Sequence, residues 1–147
     1  MSKIYEGDMF GETFAFANMK GIPVSVLSAT SCEILTINYR ALMDAQLFDC
    51  CVHNHLIKNM LFIISNKNIS LNRKIEHISK RNTRDKLMSY LTEQAQLHSS
   101  NKFSIRFNRQ ELADYLCVDR SAMSKELCKL RDNGIIKFNK NNFEILD

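Results

Sequence analysis

The 147-residue chain holds no apolar run that approaches the ~20 residues of a membrane-spanning helix, and its N-terminus lacks the basic-then-apolar pattern of a signal peptide. Both absences point to a cytoplasmic protein with no membrane partner. Its five cysteines are an odd number without CxxC spacing, which argues for reduced thiols rather than a disulfide framework. Cys32, Cys117 and Cys128 are expected to be small buried hydrophobes. No Ser/His/Asp set, paired-carboxylate arrangement or phosphate-binding glycine loop stands out, so neither catalysis nor a cofactor is expected. No metal site is expected: Cys50, Cys51, His53 and His55 cluster, but residues two apart on a helix point to different sides, so His53 and His55 cannot share one ion.

What is present is typical of a soluble globular chain, 45% hydrophobic and 24% charged. The net charge of +4 becomes informative when split along the sequence. Residues 1–66 carry four Lys/Arg against six Asp/Glu, net −2, whereas residues 67–147 carry sixteen against ten, net +6. A basic second half is what a nucleic-acid-facing surface requires; a solvated basic surface is the bland alternative.

The basic half contains the most specific pattern, from Asn108 to Gly134. Asn108 followed three residues later by Glu111 forms a capping box that opens a helix over Arg109–Leu116, with Leu112, Ala113 and Leu116 inward. Asp119 caps a second helix, about residues 120–133, carrying Met123, Leu127 and Leu130 at i, i+4, i+7, and Gly134 ends it. Two such helices with a three-residue link describe a helix-turn-helix. The second would offer Arg120, Ser121 and Lys125 to the DNA major groove. Phe103, Ile105 and Phe107 alternate as a strand ahead of it. Ile135–Phe138 and Phe143–Leu146, around Asn139-Lys140-Asn141-Asn142, read as the hairpin of a wing.

Upstream, Asn82–Leu97 reads as a helix capped by Asn82 or Thr83, with Leu87, Tyr90, Leu91 and Leu97 inward. About Asp49–Ser79 lies the longest helical pattern. Ile57, Met60, Ile64, Leu71, Ile75 and Ile78 follow a seven-residue repeat with Lys67 at the missing position, which suits a two-stranded seam, and Val52, Leu56 and Ile63 form a second stripe. A single wide core face is the alternative. Asn38 can cap a short helix, Tyr39–Ala45. Before it, Lys3–Tyr5, Gly7–Gly11, Val24–Ala29 and Glu33–Ile37 read as short strands of a half-buried sheet, with Phe10, Phe14, Phe16 and Met19 as core or pocket residues.

Arg109-Gln110-Glu111-Leu112-Ala113, Arg120, and Gly134-Ile135-Ile136, together with the upstream Gly7-Asp8-Met9-Phe10-Gly11-Glu12, resemble the Crp/Fnr family of transcription regulators. The resemblance implies an α+β chain. Residues 1–81 would be a partial, cyclic-nucleotide-binding-like β-roll with a long dimerisation helix at about 49–79, and residues 82–147 a C-terminal winged helix-turn-helix. The first half of the family's roll has no counterpart ahead of Met1, so a fragment, a shortened chain or a chain that needs a partner is expected. The function implied is transcription regulation by a homodimer that reads a palindromic operator in double-stranded DNA. Arg120, Ser121 and Lys125 would reach bases; Arg109, Gln110, Lys137 and Lys140 would hold the backbone. Cys117 stands where the family usually has a turn Gly, and Asp119 replaces a frequent Ser.

An effector pocket would involve Phe10, Gly11 and Glu12. In cyclic-AMP-binding members an Arg and a Ser take the phosphate; those positions fall here on Ile22 and Pro23, which cannot neutralise it, so cyclic-AMP control is not expected. A protein-interaction module, or a small-molecule sensor that has lost DNA binding, is the alternative reading.

Overall fold

The computed structural model describes residues 4–17, 19, 21, 23–43 and 50–146. The elements run α1 (Glu12–Phe16), α2 (Tyr39–Met43), α3 (Cys50–Ile78), α4 (Thr83–Leu97), β1 (Lys102–Ser104), α5 (Arg109–Leu116), α6 (Arg120–Asp132), β2 (Ile136–Asn139) and β3 (Asn142–Ile145). Lys3 in the first expected strand, Ile22, Ala45 at the end of the short helix and Asp49 at the start of the long one lie outside the described residues. The chain divides into two compact units, residues 1–66 and 67–147, and the division falls inside α3.

In the first unit the expected strands are not seen: among its described residues no β-ladder forms and the roll is absent. Residues 23–38 carry no helix or strand, and Val24, Val26, Ile34 and Ile37 stay exposed, as do Leu27 at 83% and Leu35 at 86%. Alternating apolar residues become a strand only when a neighbour takes up their N–H and C=O groups and covers one face. The expected aromatic core is also corrected: Phe10, Phe16 and Met19 are exposed and only Phe14 is half-buried. Gly11, at φ 81°, begins α1, a single short turn. Asn38 caps α2, its Oδ1 accepting from the Arg40 amide at 3.0 Å. Leu42 is buried, and its carbonyl lies 2.7 Å from His53 Nε2.

The second unit is organised by one core. Leu87, Tyr90, Leu91 and Ala95 of α4 pack with Leu112, Ala113 and Leu116 of α5 and with Met123, Leu127 and Leu130 of α6. Phe103, Ile105, Ile136 and Phe143 close it from the sheet side. Ala95 takes the inward place expected of Leu97, which is exposed as the last residue of α4. The three strands form an antiparallel sheet in the order β1-β3-β2. Phe143 lies opposite both Phe103 and Phe138 in register, and its ring is 6.2 Å and 5.8 Å from theirs. This aromatic row ties the hairpin to β1.

Three helices of this unit end in the same way. Ser100 N–H donates to Ala95 O, Val118 N–H to Ala113 O and Ile135 N–H to Leu130 O, at 3.0, 3.0 and 2.9 Å. Each reverses the chain through a left-handed residue: Ser99 at φ 48°, Cys117 at φ 52° and Gly134 at φ 72°. That is the Schellman ending, in which glycine is usual because a Cβ is strained there. The expected burial of Cys32, Cys117 and Cys128 is corrected, for all three are exposed.

Candidate nucleic-acid interface

The helix-turn-helix is set by bonds that span three residues. Asn108 Oδ1 accepts from the Glu111 amide at 2.9 Å and Glu111 Oε2 accepts from the Asn108 amide at 3.0 Å, completing the capping box. Cys117 turns the chain, and Asp119 Oδ1 accepts from the Ala122 amide at 2.9 Å to start α6. Met123, Leu127 and Leu130 fix the inward face of α6, so its opposite face and first turn are left to solvent.

Arg120, Ser121 and Lys125 are all exposed there. Arg120 makes no hydrogen bond or ion pair with the described residues. Ser121 is engaged: its hydroxyl donates to Asp119 Oδ1 at 2.6 Å. That bond is the main cause that holds the Asp119 carboxyl below its ordinary value, followed by the Ala122 amide and, more weakly, the charge of Lys125.

Residues 85–147 match the family model of the Crp-like helix-turn-helix domain. The chain carries a Crp-like helix-turn-helix domain. The match supports a regulator of the Crp/Fnr type, and a domain of this kind points to DNA-binding transcription regulation. Among curated proteins none matches the chain significantly.

The Crp-like domain brings several of the expected contact residues to one place. An open groove is lined by Asn108, Arg109 and Gln110 from the start of α5, Arg120 from the start of α6, and Lys140, Asn141 and Asn142 from the wing turn. Lys137 lies elsewhere, opposite Glu144 in register, and Glu144 pairs at 3.1 Å with Lys102 on the other neighbouring strand. Gln110 Nε2 donates to Asp114 Oδ1 at 2.8 Å.

Arg109, expected to hold the DNA backbone, has its guanidinium engaged within the protein. Its guanidinium Cζ sits 5.1 Å from the centres of both the Phe138 and Phe143 rings, and its Nη2 donates to Lys140 O at 2.8 Å. Burial lowers its pKa from the usual arginine value. Lys129 pairs with Glu126 at 3.1 Å and Arg131 with Asp132 at 3.0 Å, both on the solvated side of α6.

Phe10 and Gly11 are exposed and Glu12 is half-buried at the opening of α1. Among the described residues no group of three or more His, Cys, Asp or Glu side chains could hold a metal ion. No helix of the described residues is long and apolar enough to cross a membrane.

One polar cluster had no counterpart in the sequence reading. His77, near the end of α3, is 2% exposed and is held from both sides by α4. Its Nε2–H donates to Glu93 Oε2 at 2.7 Å, and its Nδ1 lies 2.8 Å from Ser89 Oγ. Arg73 Nε meets the other oxygen of Glu93 at 3.0 Å. The rings of Tyr90 and Tyr115 lie 5.8 Å and 6.3 Å from the imidazole. Burial, followed by the neighbouring Tyr115 and Glu93, raises the Tyr90 hydroxyl pKa. The available signal was Ser89 and Glu93, four apart, interleaved with the inward leucines of α4.

Proposed function

We propose that the chain is a transcription regulator that binds double-stranded DNA as a homodimer and reads a palindromic operator through the first turn of α6. The observation that carries this reading is the groove in which Arg120, Gln110 and Lys140 meet beside an exposed helix start whose arginine is unengaged. A free guanidinium there can span guanine O6 and N7, discriminating against other bases by ~1–3 kcal/mol. Lys125, one turn on, reaches a base edge or a phosphate, and Gln110, Lys140 and Lys137 hold the backbone on either side.

The homodimer is supported by α3. Leu71 and Ile75 lie on its seven-residue seam and are 60% and 58% exposed, which a second copy of the helix would cover. Two-fold symmetry then matches two recognition helices to half-sites about one DNA turn apart. Cyclic-AMP control is not part of the proposal, because the exposed imide of Pro23 offers no hydroxyl where the resemblance calls for one. The protein works in the cytoplasm, where its operator is, and no catalytic step is invoked.

Footprinting on the DNA upstream of its own gene tests the reading. Wild type should protect a two-fold site, with log affinity falling linearly as log salt rises. Arg120→Ala should lose at least tenfold in preference for that site over random duplex while keeping the salt dependence of non-specific binding. Salt-independent or undetectable binding by wild type would count against the function. An Arg120→Ala protein with an unchanged footprint would count against the residue's role.

A further inference from the structure

Arg109 stands on the first position of α5, yet the hydrogen bond and the ring contacts of its guanidinium are all to one distant hairpin. The Phe138 ring of β2 and the Phe143 ring of β3 flank it at 5.1 Å each, and the carbonyl of Lys140, 31 residues away, accepts from Nη2 at 2.8 Å. Nη1 is enclosed and has no hydrogen-bond partner. Nη1 is therefore closed to a phosphate, and Nη2 already gives a hydrogen to the wing turn.

Lys140 is the residue that needs holding. It occupies the two-residue turn between Asn139 and Asn142 at φ 52°, a left-handed conformation that a lysine keeps only where its surroundings impose it. The bond from Arg109 is anchored on that residue's own carbonyl, and the two rings beside the guanidinium belong to the strands on either side. The result is that Lys140 lines the same groove as Arg120, although the two come from separate elements.

We propose that Arg109 is a positioning residue of the DNA interface: it clamps the wing turn so that Lys140 meets the backbone beside Arg120, and it takes no phosphate of its own. The assignment rests on the DNA-binding function proposed above. It differs from what the resemblance implies for this position, which is a direct backbone contact.

A double-mutant cycle on a fixed duplex, titrated across salt concentrations, separates the two roles. If Arg109 acts through Lys140, Arg109→Ala and Lys140→Ala each weaken binding by about tenfold. Each then lowers the salt slope by roughly 1, and the double variant is no worse than either single one. Multiplied losses and a slope lowered by roughly 2 in the double variant would overturn the proposal. Arg109→Lys keeps the charge but not the planar fork that spans two rings and a carbonyl, so it should behave like Arg109→Ala; wild-type affinity in that variant also overturns it.

Phe138→Leu covers the case in which Arg109→Ala does not fold. It changes no charge, so a reduced salt slope marks a lost wing contact and an unchanged slope contradicts the clamp. Amide hydrogen exchange in the free protein isolates the clamp from DNA altogether. Arg109→Lys should speed exchange across residues 136–145 and leave α4 unchanged, and equal rates in variant and wild type would refute the clamp even if wild type bound no DNA.

Discussion

The unit richer in apolar residues is the one that leaves more of them open: residues 1–66 hold 36 hydrophobic residues and residues 67–147 hold 30, although the second stretch is longer. In residues 67–147 Leu87 and Leu91 of α4 and the leucines of α5 and α6 are enclosed, each of these helices has its start bonded, and the sheet adds its aromatic row. In residues 1–66 Leu42 is enclosed, whereas the valines, leucines and isoleucines of the 23–37 stretch face solvent. The difference lies in partners rather than composition. A helix makes its own backbone bonds and needs a neighbour only for one stripe; a strand needs a neighbour for its backbone as well. The extended stretch thus has its pattern without its ladder.

The largest break in that comparison should come from deletions in the two sets of leucines. Leu112→Ala, in the enclosed core, should cost roughly 2–5 kcal/mol in urea unfolding, while Leu35→Ala should stay within about 0.5 kcal/mol. Equal losses would mean that the first unit has a core after all. Next comes His77→Ala, which leaves Glu93 and Ser89 without their buried partner and should destabilise the second unit by about 1–3 kcal/mol. A midpoint shift without a change in slope of the urea transition would confirm that the loss is local.

Smaller effects should appear at the left-handed helix ends. Cys117→Gly should stabilise by on the order of 0.5–1 kcal/mol, the strain relieved less the entropy glycine adds to the unfolded chain. Gly134→Ala, where a Cβ meets nothing within 4 Å, should destabilise by about 1 kcal/mol through backbone strain alone. Thermal melts of the two variants should move in opposite directions; a shared direction would mean that side-chain contacts decide these ends.

The smallest effect is a pH dependence. The Asp119 carboxyl titrates lower in the folded protein than in the unfolded chain, so its contribution is fully present above the ordinary carboxylate pKa and is lost as pH falls through the lowered folded value. Asp119→Ala should therefore flatten the acid limb of the stability profile and leave its shape near neutrality unchanged. An acid limb identical to wild type would remove the residue from this role.

What was legible in the sequence had short reach. Asn38, Asn108, Asp119 and Gly134 were all identified from neighbours two to four positions away, and each acts as expected in the structure. The helix-turn-helix and its inward leucines followed from those caps and a period of 3.6. The rest depended on distance along the chain. Arg109 meets its carbonyl partner 31 residues on, and His77 meets Ser89 and Glu93 at 12 and 16. No periodicity encodes such pairings. The strand expectation for 23–37 failed for the same reason, since alternation describes one edge and says nothing about whether another lies beside it. Cys117 was identified as the residue in the usual glycine position, but its exposure was missed because small thiols were assumed to be inward.

The short bond between Ser121 and Asp119 limits what this serine can say to a base. Its only proton is spent inside the protein, so towards solvent the oxygen has just lone pairs left to give. If Ser121 meets a base, as the proposed function has it, that base would have to supply hydrogen from an exocyclic amine, as cytosine or adenine does, and a thymine or guanine edge, acceptor to acceptor, would be turned away.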